Sequence, residues 1–333
     1  MTGEFAMASS VLRKVFSSPL LRGHYEKEES LIPFKYEGSE QEQKRLISLV
    51  NKIAAHSETG KAVLQKAAEN GYTLSFGMQK DSYGYAEPKG KRLVLNPKFN
   101  DASLLNTLVH ESRHAEQFAH GAEQDFGKLT LRSEIMEFRA AEADACAVAA
   151  LAMLEAEKNG LTMKDKLRIG ASYETRKLFN GNADKKDVLR AAFDSWFEDR
   201  GRKEAYEDGY IIQPMKNGLK KKAEKEMTYS TAVSSAQIID QICTTPDGCY
   251  FSDKNALDDA KYLDISAGTK EVADRFFALR EKRTGMKPDT SYADLPVRQG
   301  YSMIHGTFHG VCYDKTPSPS KLPVILAQKQ KSR

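Results

Sequence analysis

Residues 110–114 read His-Glu-Ser-Arg-His. On an α-helix, side chains four positions apart lie about 40° apart around the axis and about 6 Å apart along it, so both imidazoles can point at one cation. Glu111, beside the first histidine, is placed to take a proton from a water on that cation. The chemistry such a pattern serves is hydrolysis. A cation such as zinc acidifies a water and polarises a carbonyl, while the carboxylate moves a proton from the water to the leaving amine. With only seven histidines in 333 residues, a chance pair at this spacing with Glu after the first is uncommon. The competing reading is a surface helix with two unrelated histidines and a Glu–Arg pair.

A catalytic zinc site takes three protein ligands and leaves a position for water. Two residues compete for the third place. His120 lies six residues after His114, but that use requires a sharp turn at position 117, where the chain has Gln and not Gly. If the helix runs on through Ala119, His120 is displaced about 9 Å from His114 and rotated off its face. Gly121 then reads as the residue just past the helix end, and His120 as a helix-end histidine favoured by the dipole. The other candidate is Glu142, 28 residues after His114, in Arg139-Ala-Ala-Glu142-Ala-Asp144-Ala. Alanines let helices approach closely, and a carboxylate among them is costly to bury without a cation or partner. Glu137 is the fallback ligand, and Asp144 is a second-layer partner for a histidine N–H. The bland alternative for Glu142 and Asp144 is a solvated helix face paired with Arg139.

These residues require particular elements. Leu104, Leu105, Leu108 and Val109 recur at helical spacing after Asp101, which reads as an N-cap, with no Pro or Gly before His120. A second long helix spans Leu131 to Lys158. Upstream, helices are expected over Ser39–His56 and Gly60–Asn70. A strand begins at Tyr72, and a hairpin joins Tyr83–Ala86 to Arg92–Asn96 through Glu87-Pro-Lys-Gly-Lys. Tyr83 to Asn96 is the expected substrate-binding edge, with a plain structural hairpin as the alternative. Downstream, helices are expected over Asp165–Asn180, Lys185–Glu198, Ala232–Ile242 and Thr269–Lys282, and Trp196 reads as a core residue. The chain around Tyr206 reads as irregular. His305 and His309 form a second pair four apart, but Gly306 and Gly310 argue against a helix there.

The chain resembles zincin metallopeptidases of the glutamate-ligand (gluzincin-like) type. More closely, His110 to Gln117, Glu142 to Ala145, Ala192 to Phe197 and Tyr206 resemble an uncharacterised bacterial metallopeptidase family. The likeness covers about Tyr72 to Tyr210. It implies zinc ligation by His110, His114 and Glu142, with Glu111 as general base. Tyr206 is the first choice to stabilise the oxyanion, ahead of Tyr210, His305 and His309. It also implies an α+β, predominantly helical fold, with a zincin-like core and a small antiparallel sheet preceding the motif helix. Gluzincins often carry a carboxylate or amide four residues after the ligand Glu. Here Cys146 follows Glu142 and Ala141 follows Glu137, which keeps Glu137 open.

Composition bounds the rest. Apolar residues make up 40% and charged residues 29%, ordinary for a globular protein, and the net charge of +4 is too small to argue for nucleic acid. The lysine run from Lys216 to Lys225 has no interleaved aromatic residue and reads as a solvated helix face. The cysteines Cys146, Cys243, Cys249 and Cys312 form no metal-binding C-x-x-C pair, and no apolar run reaches membrane-spanning length. The expected organisation is a flexible segment over 1–38, the metallopeptidase domain over 39–212, an α-rich region over 213–314 that completes or flanks the cleft, and a disordered tail over 315–333. The expected function is zinc-dependent hydrolysis of a peptide or protein substrate, with no nucleic-acid or membrane partner, in the cytoplasm or as a secreted bacterial effector. The alternatives are a catalytically inactive scaffold of the same shape that binds a partner, and a metal-free helical binding protein.

Overall fold

The computed structural model describes residues 29–80, 82–122 and 125–298. It is a mixed α+β structure, predominantly helical. Strand β1 (Lys35–Glu37) leads into helices α1 (Glu40–His56) and α2 (Glu58–Glu69). Strands β2 (Thr73–Phe76), β3 (Gly84–Glu87) and β4 (Arg92–Leu95) follow, and then the motif helix α3 (Asp101–Ala119) and α4 (Leu131–Lys158). The expected antiparallel sheet is instead a mixed one, in the order β1-β2-β4-β3. Both β1–β2 and β2–β4 are parallel, and only the β3–β4 hairpin is antiparallel. Helices α1 and α2 lie between β1 and β2 in the chain, and such a crossover is what a parallel pairing demands. Within the segment expected to be loose up to residue 38, β1 joins the sheet and Ile32 and Phe34 enter the core.

Local chemistry explains the boundaries. Ser39 and Glu42 cap each other's backbone at the start of α1. At α3 the cap is Asn100 and not Asp101. The Asn100 side chain accepts from the Ser103 N–H, while Asp101 sits in the first turn and binds Arg45 at 2.9 Å. Gly121 follows α3 at φ +98°, which satisfies the expected left-handed stop.

Helix α4 is the axis of the molecule. It is buried on all faces, with alanines at 140, 143, 145, 147, 149, 150, 152 and 156. Helices α1, α2 and α3 pack against it, as do α6 (Lys185–Glu198), α9 (Ser235–Ile242) and α10 (Ala260–Leu263). Such close approach on every side requires small residues, and that is why α4 shows no amphipathic stripe. Its first N–H groups have no side-chain cap of their own. Asp289 accepts from Leu131 N and Ser291 from Arg132 N, so a loop more than 150 residues downstream closes the helix start.

Downstream of α4 the expected helix over 165–180 is only α5 (Tyr173–Asn180). The stretch around Tyr206 is not irregular. Helix α7 (Arg200–Glu207) passes into a π-helical turn (Asp208–Ile212) and on into α8 (Gln213–Lys221). A short hairpin of β5 (Thr244–Thr245) and β6 (Gly248–Cys249) follows α9. Strand β7 (Ile265–Ser266) pairs with β8 (Val297–Arg298) beside α11 (Ala267–Thr284). The His305/His309 pair and the tail lie outside the described residues.

Candidate metal centre

The motif helix α3 and the central helix α4 pack side by side, and their facing sides bring three residues together. His110 and His114 come from α3 and Glu142 from α4. One ligand-type atom of each lies within 4.8 Å of the others, the one such convergence among the described residues. His110 Nε2 stands 3.1 Å from His114 Nε2 and 3.5 Å from Glu142 Oε2. His114 Nε2 stands 3.7 Å from Glu142 Oε1. Two ligands each about 2.05 Å from a tetrahedral ion are separated by about 3.3 Å, so these spacings suit one divalent cation. The three side chains are 7%, 12% and 7% exposed, which leaves the imidazoles only partly open to water.

The electrostatics agree. Gln117 Oε1 lies 2.8 Å from His114 Nδ1, and a carbonyl oxygen can only accept, so the ring carries its hydrogen on Nδ1. Burial pushes the His114 imidazole below the ordinary histidine value, favouring the neutral ring. Its Nε2 therefore presents a lone pair to His110. His110 turns Nδ1 toward Cys146 Sγ at 3.8 Å, so its own Nε2 faces the same point. Burial opposes ionisation of Glu142, while a hydrogen bond from Tyr210 favours the carboxylate. Its Oε2 is buried with no hydrogen-bond partner. Two ring nitrogens and a carboxylate thus meet in one small volume; with His114 Nε2 bare, the 3.1 Å contact makes His110 Nε2 its donor, a hydrogen that a bound cation would replace.

Glu111 is buried on α3 beside His110. Glu137, the fallback ligand, is buried on α4 and is not part of the convergence. His120 caps the end of α3, its Nδ1 3.2 Å from Gln241 O. Tyr206 does not stand alone. Its ring lies 5.4 Å from Trp196 and stacks on Tyr210 at 5.7 Å, and Phe138 stacks on Tyr210 at 5.3 Å. The tyrosine whose hydroxyl reaches the centre is Tyr210, which donates to Glu142 Oε1 at 3.0 Å from within the π-helical turn. Trp196 is fully buried, as its core reading requires.

The sequence reading missed three participants. Arg113, in a variable position of the motif, is fully buried. It donates to Asp144, Glu116 and the carbonyls of Ile242 and Thr244. Gln117 bridges His114 and Asp144, and its place three residues after a histidine on the same helix was a usable signal. Tyr250 donates to Asp144 at 2.8 Å from 106 residues away, and no local pattern announces it. Asp144 thus acts on the histidine through Gln117 and not directly.

Strand β3 ends the sheet, paired with β4 on one side only. It lies against α3, because Gly84 has no side chain. A Cβ there would come within 2.7 Å of Val94 O and 2.9 Å of Thr107 Cγ2. Thr107 is one turn before His110.

A family model described as "Putative metallopeptidase family (DUF6782)" matches residues 25–252. The chain belongs to this family. The match takes in the sheet, the two helices that carry His110, His114 and Glu142, and the β5–β6 hairpin. No curated protein sequence and no solved structure matches the chain.

Proposed function

We propose that this member of the metallopeptidase family is a zinc-dependent, zincin-like peptidase that uses the HExxH residues of α3. The observation that carries the reading is the convergence of His110 Nε2, His114 Nε2 and the unpartnered Glu142 Oε2 on one point. Two imidazoles and one carboxylate form a donor set of intermediate softness, which suits zinc better than magnesium or calcium. Such an ion, when bound, would polarise a substrate carbonyl and acidify a water.

The chain's own residues supply the remainder. Glu111 accepts the proton of the attacking water and passes it to the leaving amine nitrogen. Tyr210, held between Phe138 and Tyr206, orients Glu142 and offers a hydroxyl beside the reacting carbonyl. Tyr206 acts through that stack. An extended peptide pairs with the open edge of β3, which α3 holds close to the motif through Gly84 and Thr107. The substrate is accordingly a peptide or protein in extended form. No helix among the described residues is long and apolar enough to cross a membrane.

The test is metal analysis of the purified chain together with cleavage of a broad peptide library with and without chelator. The expected result is one zinc per chain and cleavage that chelator abolishes and zinc restores. Zinc binding with no cleavage across the library would favour an inactive scaffold. Absence of any tightly bound divalent ion would end the metallopeptidase reading for this chain.

A further inference from the structure

We propose that Gln117 is a positioning residue that selects the metal-binding tautomer of His114, and that the hairpin after α9 holds it in place through Tyr250 and Asp144. The inference rests on the metal-centre reading above and concerns residues that touch no substrate.

The argument begins with the amide. Gln117 is buried, and both of its polar atoms have partners. Nε2 donates to Ala141 O at 3.0 Å and to Asp144 Oδ2 at 2.7 Å, while Oε1 faces His114 Nδ1 at 2.8 Å. Rotating the amide by half a turn would set its oxygen against two acceptors, so the orientation is fixed by its neighbours. A fixed carbonyl oxygen at Nδ1 forces the hydrogen onto Nδ1 and leaves Nε2 bare, toward His110 and Glu142. The other tautomer would put a hydrogen where a ligand lone pair is needed.

Asp144 is what holds the amide. Its two oxygens receive four donors: Arg113 Nε and Gln117 Nε2 on Oδ2, and Tyr250 Oη and Arg113 Nη2 on Oδ1. The carboxylate is therefore fixed from three directions, and Gln117 inherits that rigidity. Arg113 also donates to Ile242 O at 2.6 Å and Thr244 O at 2.9 Å, which locks the end of α9 and the start of the hairpin onto α3. The hairpin then delivers Tyr250 to Asp144. The family match, residues 25–252, runs two residues past Tyr250, so the matched unit contains the whole relay.

The experiment uses the full chain and three readouts: imidazole nitrogen chemical shifts of the metal-free protein, zinc affinity by competition with a chromophoric chelator, and thermal unfolding of the metal-free protein. In the wild type His114 is expected to carry hydrogen on Nδ1 alone. In Gln117→Leu the shifts should move toward a mixture of tautomers, and zinc affinity should fall by about 10- to 100-fold, the range for second-layer partners. Tyr250→Phe, a smaller change that preserves packing, should weaken zinc in the same direction by less. Wild-type His114 with hydrogen on Nε2 would overturn the proposal. So would variants that bind zinc like the wild type and only unfold at lower temperature. A wild type that binds no zinc would overturn the metal centre itself and this inference with it, an outcome distinct from the previous two.

Discussion

Helix α4 carries two buried charged residues one turn apart, and their surroundings differ in kind. Arg139 points into a cluster with Glu207, Arg298, Asp264 and Lys203. There both oxygens of Glu207 are occupied, one by the two arginines and the other by Ser266 N and Thr269 Oγ1. Arg139 also reaches the carbonyls of Tyr262 and Asp264. Only the Nε groups of the two arginines lack a partner. Glu142 looks onto two imidazole nitrogens at 3.5 and 3.7 Å, and its Oε2 has no hydrogen-bond partner. In the first site opposite charges satisfy each other and join α4 to α7, β7 and β8. In the second, acceptors are gathered without enough donors, an arrangement that lowers stability and is retained where something else is bound. Burial of charge alone does not separate a brace from a site, whereas the balance of donors and acceptors does.

Targeted substitutions test this contrast. The largest effect is expected for Glu111→Gln, which should bind zinc like the wild type and lose about 10²- to 10⁴-fold in peptide hydrolysis. Turnover at the wild-type rate, followed with a fluorogenic peptide, would remove Glu111 from the base role. Next comes the comparison of the two carboxylates in chelated protein. Glu207→Ala should cost about 3–5 kcal/mol in denaturant unfolding, because it strands Arg139 and Arg298. Glu142→Gln should change metal-free stability by less than about 1 kcal/mol, because it replaces an oxygen that already lacks a donor. Equal losses would show that both clusters are braces.

Tyr210→Phe removes the hydroxyl that donates to Glu142 and keeps the ring stack. Its activity should fall by about 10- to 100-fold with little change in unfolding temperature. A drop in stability without a drop in rate would assign Tyr210 to the core.

The smallest effect is one of pH. Burial works against ionisation of Glu207, yet Arg139 and Arg298 outweigh it and its carboxyl is held below the ordinary value. A carboxyl with a depressed folded-state value stabilises the fold above the unfolded value, near about 4.3, and loses that contribution as pH falls through the folded one. The stability difference between wild type and Glu207→Gln should therefore hold steady from neutral pH down to about 4 and shrink below it. A difference that grew on acidification would reverse the sign of the argument.

Much of the scaffold was legible because it rests on local signals. The bounds of α4 follow from its alanine-rich run, and α1, α2 and α6 fall within two residues of their expected starts. The β3–β4 hairpin follows from the turn residues between its strands. The failures have a common cause. Parallel pairing of β1 with β2 joins segments separated by two helices, and alternation along a strand does not say which way its neighbour runs. Residues 165–172 form no helix, and Gly170 among them sits at φ +77°, a left-handed conformation that interrupts a helical run. The π-helical turn at 208–212 has no sequence signature strong enough to be seen, yet it carries Tyr210 to Glu142.

The sequence by itself determined that two imidazoles share one face of a helix with a carboxylate beside the first. Helical periodicity fixes neighbours three and four residues apart whatever the rest of the chain does. Tertiary structure alone decided that Glu142 and not Glu137 meets those rings, that Tyr210 rather than Tyr206 touches that carboxylate, and that Gln117, Asp144 and Tyr250 stand behind His114. Glu137 and Glu142 differ by five positions, well over a quarter turn around α4, and only the packing of α3 against α4 selects which side faces the histidines. Tyr250 arrives from the far end of the matched region, where no periodicity links it to its partner.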